Sequence, residues 1–208
     1  MEENMERINA VTFAPFCARG TFEKEETRQS LKLMKEKTGA NYVIFAPNGM
    51  QKTAFSEEID YRTDRNVTDE ELIAMIGYAK ELGLNVALKP TANCADGTWR
   101  AHINFFDEDV VCEPKWGNWF ASYRAFQEHY AGLAQQCGVD LFIAGCEMVQ
   151  TERREAEWRE VIAAIRRKYD GLVSYNTDKY QEHNVKWWDA VDVISSSGYL
   201  SLIHISEP

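Results

Sequence analysis

Six short apolar runs recur along the chain, and five of them are followed by a stretch whose apolar residues have helical spacing. Few folds accept that order. The runs fall at residues 9–15, 42–47, 84–90, 141–148, 171–176 and 192–199. Near-continuous apolar runs of this length read as parallel strands covered on both faces. The intervening segments read as helices. Residues 24–37 carry Leu31, Leu33 and Met34 ahead of Gly39, placed where a left-handed C-cap is wanted. Thr68 to Glu71 form a capping box that opens a helix with Leu72, Met75, Ile76 and Ala79 on one face, ended by Gly83. A third helix is expected over 119–136, a fourth carries Trp158, Val161, Ile162 and Ile165, and a short one over 182–190 carries Trp187 and Trp188. Strand and helix in strict alternation imply a parallel sheet coated by helices. No Gly-x-Gly-x-x-Gly follows the first run and no Walker-type loop is present, which favours a barrel over a nucleotide-binding sheet. The expected fold is therefore α/β, an incomplete (β/α)8 TIM barrel with about six of its eight βα units, since a complete barrel takes about 250 residues.

In such folds chemistry is done at the carboxyl ends of the strands. The run Leu141-Phe142-Ile143-Ala144-Gly145-Cys146-Glu147-Met148 delivers a single carboxylate there, behind two small residues. Glu147 is thus the leading candidate for a catalytic group, against the alternative of a surface carboxylate just past a strand. Lys89 ends the third run and is either a ligand contact or a structural ion-pair partner. Asn176 and Tyr199 end the fifth and sixth and are expected to face the same cleft. Two segments, 48–66 and 90–119, are expected to be long loops, the second rich in polar and aromatic residues. Long ordered loops in compact domains are usually functional. In that segment Trp99 and Trp116 offer flat faces for stacking, and His102 stands beside Asn104, although a lone histidine is often structural.

Composition narrows the partners. The chain of 208 residues carries 23 Lys and Arg against 33 Asp and Glu, a formal net charge of −10, with no basic cluster, so a nucleic-acid backbone would be repelled. No run approaches the roughly 18 apolar residues that cross a bilayer, and the acidic start Met1-Glu2-Glu3 lacks the apolar core of a signal peptide. A cytoplasmic location is expected, with no membrane or nucleic-acid partner. Five cysteines form no C-x-x-C pair, which suits free thiols and argues against structural zinc. No cofactor or metal is expected. The last nine residues, 200–208, resemble the in-frame translation of a sequencing adapter. They are read as a non-native tail, leaving 1–199 as three-quarters of a barrel.

A barrel with a strand-end carboxylate, tryptophan-rich loops and an acidic balance suits sugars, which present flat C–H faces and many hydroxyls. The blocks Phe142 to Met148, Glu157-Trp158-Arg159, Tyr175-Asn176, Trp187-Trp188 and Asp192 to Tyr199 resemble glycoside hydrolase family 113, over residues 8–199 and most strongly over 141–199. That resemblance implies a retaining β-1,4-mannanase whose two catalytic glutamates sit on strands four and seven. Glu147 would be its general acid and base, a role that calls for a carboxyl half-sheltered in a cleft. The nucleophile would lie on strand seven, beyond residue 199, so the chain by itself is expected to be inactive. The wider clan usually has Asn before the acid/base to bind the sugar 2-hydroxyl, whereas here that position is Cys146, a weak donor that is either a sugar contact or a small buried residue. The expected substrate is a β-linked oligosaccharide or polysaccharide, mannan first, with xylan-type substrates and a non-catalytic sugar-binding barrel left open. A metal-dependent isomerase on the same barrel is a weaker reading, because no His/Glu pair has ligand spacing such as H-E-x-x-H.

Overall fold

The computed structural model describes residues 7–199. Segment 200–208, read above as a foreign tail, lies outside the described residues. The chain runs β1 (Ala10–Thr12), α1 (Glu25–Thr38), β2 (Tyr42–Phe45), β3 (Asn48–Gln51), α2 (Asp69–Glu81), β4 (Asn85–Leu88), β5 (Thr91–Cys94), α3 (Trp116–Cys137), β6 (Leu141–Cys146), α4 (Glu155–Arg166), β7 (Leu172–Asp178) and β8 (Val193–Ser197).

Six of these strands form one parallel sheet in the order β1-β2-β4-β6-β7-β8, which is chain order without reversal. The sheet curls, because residues at the carboxyl ends of its outermost strands, Thr12 and Ser197, line a common hollow. The fold is an α/β incomplete TIM barrel. Its two faces are filled differently. Val43, Phe45, Val86, Leu88, Phe142, Ala144, Val173 and Tyr175 join the large core shared with the helices. Alternate residues point inward, where Ala87, Leu141 and Ile143 meet Ile44 and Val193. That separation is the period-two alternation of a strand expressed as two layers.

The helices form for the reasons their sequences give. Thr68 caps α2 reciprocally, its hydroxyl accepting from Glu71 N at 3.2 Å while the Glu71 carboxylate accepts from Thr68 N at 2.9 Å. α1 closes on Gly39, whose φ of 65° no β-carbon-bearing residue adopts cheaply. α3 begins three residues earlier than expected, so Trp116, Trp119, Phe120 and Tyr123 lie on one buried face.

Three expectations need correction. Segments 48–66 and 90–119 were expected to be loops, yet strands resume past Pro47 and Pro90 as β3 and β5, a separate parallel pair in register Asn48 to Thr91. Proline lacks only one ladder donor. The neighbouring amides carry the ladder across the gap, Lys89 N to Phe45 O at 2.8 Å and Thr91 N to Pro47 O at 2.9 Å. Residues 182–190 contain turns and a single 3-10 turn, Trp188–Ala190, instead of a helix. The fully buried Trp187 nevertheless stacks on Trp158, ring centres 4.8 Å apart.

Candidate active site

Glu147 follows the end of β6, where the strand carries one extra residue. Ile143 pairs with Ser174 and Cys146 with Asn176, so three steps on β6 face two on β7. Such a bulge re-aims the side chains beyond it. Gly145 makes it possible, since a β-carbon there would lie 2.7 Å from the Tyr123 hydroxyl and 3.0 Å from Tyr175. Tyr123 in turn donates to Ala144 O at 2.7 Å. Glu147 then adopts φ of 54°, a left-handed conformation costing of order 1–3 kcal/mol for a residue with a β-carbon. Neighbouring residues of a regular strand face opposite ways, but the bulge and this turn let Cys146 and Glu147 line one hollow.

That hollow, of about 270 Å3, gathers Lys89, Cys146, Glu147 and Tyr199 from three strand ends together with Arg100. A second hollow of about 450 Å3 adjoins it, sharing Phe16, Asn48 and Arg100 and extending past Trp99 and Met50. Together they form a cleft over the carboxyl ends of the strands. Glu147 is held from one side. Arg100 Nη2 reaches Glu147 Oε2 at 3.0 Å, and Trp99 Nε1 donates to the same oxygen at 3.3 Å. The ion pair is largely shielded, with side-chain exposures of 14% and 12%. Glu147 Oε1 has no hydrogen-bond partner among the described residues.

Arg100, absent from the sequence reading, is the organising cation. Its Nε donates to Cys146 O at 2.7 Å, its Nη1 to Asn93 Oδ1 at 2.9 Å, and its Nη2 also approaches Cys146 Sγ at 3.6 Å. The buried Cys146 therefore spends its contacts on Arg100, although it still borders the hollow. Lys89 lies half-buried in the wall, and Tyr199 sits at the rim, 77% exposed. Asn176 is adjacent: its carbonyl accepts from Glu147 N at 2.8 Å, while its side chain donates to Ser197 Oγ at 2.8 Å. His102 is exposed and meets Trp99 edge-on, ring centres 5.6 Å apart, so it supports that indole from outside the cleft.

Trp116 does not belong to the cleft, contrary to expectation. It is 3% exposed, packed among Phe105, Trp119 and Phe120, with the guanidinium groups of Arg153 and Arg154 over its ring. No face is left for a sugar. Among the described residues no three His, Cys, Asp or Glu side chains cluster as a metal ion would require, and no helix is long and apolar enough to cross a membrane.

The model of Glycoside Hydrolase Family 113 matches residues 11–207. The chain belongs to glycoside hydrolase family 113. Its match overlaps the segment read as a foreign tail. A family 113 β-1,4-mannanase superposes with a TM-score of 0.93 at 56% sequence identity over 94% of this chain, as does a complex of such an enzyme. The family 113 β-mannanase AaManA of Alicyclobacillus acidocaldarius, in complex with ManMIm, superposes with a TM-score of 0.87 at 40% identity over 95% of this chain. The chain spans 63% of the length of the first two and 62% of the third. No curated protein matches it.

Proposed function

We propose that the protein is a retaining glycoside hydrolase acting on β-1,4-linked mannose polymers or their oligosaccharides, with Glu147 as general acid and base. The observation that carries this reading is the placement of Glu147. A carboxylate on the carboxyl end of a barrel strand, gripped through one oxygen by Arg100 and Trp99, opens into a cleft in a chain 56% identical to a β-1,4-mannanase. Held at Oε2, Glu147 offers Oε1 to the glycosidic oxygen. In the first step it protonates that oxygen as the C–O bond breaks; in the second it takes a proton from the water that releases the glycosyl intermediate.

The nucleophile of a retaining enzyme stands about 5 Å from the acid/base carboxyl. The described strands end with β8, the sixth of the barrel, and the nucleophile is assigned to strand seven. Lys89 and Tyr199 at strand ends lining the hollow supply polar contacts, Asn176 stands behind them with its side chain on Ser197, and Trp99 supplies a stacking face on the rim of the larger hollow. Family membership and the sugar-analogue complex of a relative support β-linked carbohydrate as the partner. The foreign nature of 200–208 stands as a further proposal, tested by sequencing the source DNA across codon 199.

The test is reducing-sugar release from β-mannan and from xylan by the product of the uncut gene, beside Glu147→Gln. Mannan cleavage lost in the variant, with the anomeric configuration kept in the first-formed product, supports the reading. Cleavage of xylan alone, or sugar binding without cleavage, overturns it.

A further inference from the structure

Five residues beyond Glu147 a second carboxylate is sealed inside the molecule. Glu152 is 0% exposed, in the turn between β6 and α4. Its Oε1 accepts from Tyr175 OH and from Thr177 Oγ1, both at 2.7 Å, while Oε2 has no partner among the described residues. Its own carbonyl accepts from Trp187 Nε1 at 3.2 Å. Burying a carboxyl with one oxygen bare is costly, so a purely structural site would favour an amide or an apolar side chain.

The link to the cleft runs through Tyr175. A phenol has one proton, and giving it to Glu152 turns a lone pair toward Met148, whose amide donates to Tyr175 OH at 3.2 Å. On the other side of Glu147, its own amide donates to Asn176 O at 2.8 Å. The two torsions of Glu147 lie between these two peptide planes, and both planes are tied to β7. Met148 O is tied as well, accepting from Thr151 Oγ1 at 2.7 Å. The left-handed φ of 54° at Glu147 persists because its neighbours are fixed.

We propose that Glu152 is a positioning residue, acting through the Tyr175 hydroxyl and the Met148 amide to hold Glu147 in the left-handed turn that places its carboxyl on Arg100 and Trp99. It touches no substrate. The inference rests on the proposed function only where it concerns rate; the positioning itself is independent. Burial pushes the Glu152 carboxyl up to about 7, against the Tyr175 and Thr177 hydrogen bonds and with the Asp178 and Glu182 charges adding to the rise. Burial also holds Tyr175 protonated far above the ordinary phenol range, so it remains a donor throughout. Glu152 thus changes charge near neutrality while the link stays intact.

The test follows Trp99 and Met148 by 15N NMR, because the Trp99 indole bonds directly to Glu147. In the unaltered protein the Met148 amide is expected to titrate near pH 7, and the Trp99 indole to show a matching step. Glu152→Gln keeps an acceptor for both hydroxyls and removes that step. Tyr175→Phe displaces the Trp99 indole resonance even with Glu152 present. In turnover by the product of the uncut gene, both variants lower kcat about tenfold or more with KM nearly unchanged, and their effects together are less than additive. A flat Met148 titration in the unaltered protein overturns the proposal without any variant. So does a folded Glu152→Gln whose Trp99 indole and titration match the parent. If the resonances move as described but the product of the uncut gene releases no sugar, the proposed function fails and the positioning stands.

Discussion

Glu147 and Glu152 are the same residue type five positions apart, and their surroundings give them opposite characters. Glu147 lies at a strand end, shares its charge with Arg100 and opens to a cleft. Glu152 is closed off, meets two hydroxyls and no cation, and is pushed up to about 7 by burial. The comparison teaches that the end of β6 is built in two storeys. An upper one presents a charged group at a strained backbone position, and a lower one fixes that backbone with neutral donors. Strain of this kind is maintained only where the packing around it leaves no alternative.

The largest effect should come from the upper storey. Glu147→Gln keeps an acceptor for Arg100 and Trp99 but cannot transfer a proton, so hydrolysis of β-mannan by the product of the uncut gene should fall about 10³-fold while the melting temperature stays within a few degrees. A variant retaining a tenth of the activity would remove Glu147 from the reaction. The lower storey should instead show itself in stability. Glu152 ordinarily titrates at 4.5 and in the folded protein at about 7, so across that window the native state holds a proton that the unfolded chain has released. Stability is therefore highest below about pH 4.5 on this account and falls as pH rises through 7, by about 3 kcal/mol in all. Denaturant titrations of the parent and Glu152→Gln at pH 5 and pH 8 should show that fall in the parent alone. Equal slopes in both proteins would mean that Glu152 is not buried as described.

Between the storeys sits Gly145. Gly145→Ala should cost about 2 kcal/mol, because the added methyl meets the Tyr123 hydroxyl, Tyr175 and Trp158, all rigid rings in a packed core. If thermal melts show no loss, the bulge is softer than its contacts indicate, and the positive φ of Glu147 must have another origin.

Much of this was legible in the sequence, and the failures have physical causes. The apolar runs located all six barrel strands, since strands covered on both faces need little else. Glu147 stood out because an isolated charge at the end of such a run has no packing role. Arg100 did not, because its partners Asn93, Cys146 and Glu147 are brought together only by the fold, the last two from 46 and 47 residues away. Glu152 was hidden for a different reason. It falls in the run Thr151-Glu152-Arg153-Arg154-Glu155, which reads as a solvated face until Tyr175 and Thr177 of β7 close over it. β3 and β5 were missed because Pro47 and Pro90 interrupt the apolar runs before them, whereas the ladder merely skips a position there.

Trp99 and Trp116 sharpen the same contrast at the smallest scale. Both lie in the segment that looked like one long loop, and both were candidates for sugar stacking. Spacing in fact distinguishes them: Trp116 continues the series Trp119, Phe120, Tyr123 at helical intervals, whereas nothing of that kind surrounds Trp99. Trp99→Phe removes the donor to Glu147 Oε2 and should lower kcat/KM about tenfold, the equivalent of one hydrogen bond to a charged group. Trp116→Phe should leave kcat/KM within about twofold. Its stability cost should also stay near 1 kcal/mol, because the buried Trp116 Nε1 has no partner among the described residues and its loss offsets part of the lost packing. Measuring both variants on one substrate separates the cleft from the core. If Trp116→Phe loses as much activity as Trp99→Phe, the start of α3 and its covering Arg153 and Arg154 are coupled to the cleft more tightly than their positions indicate.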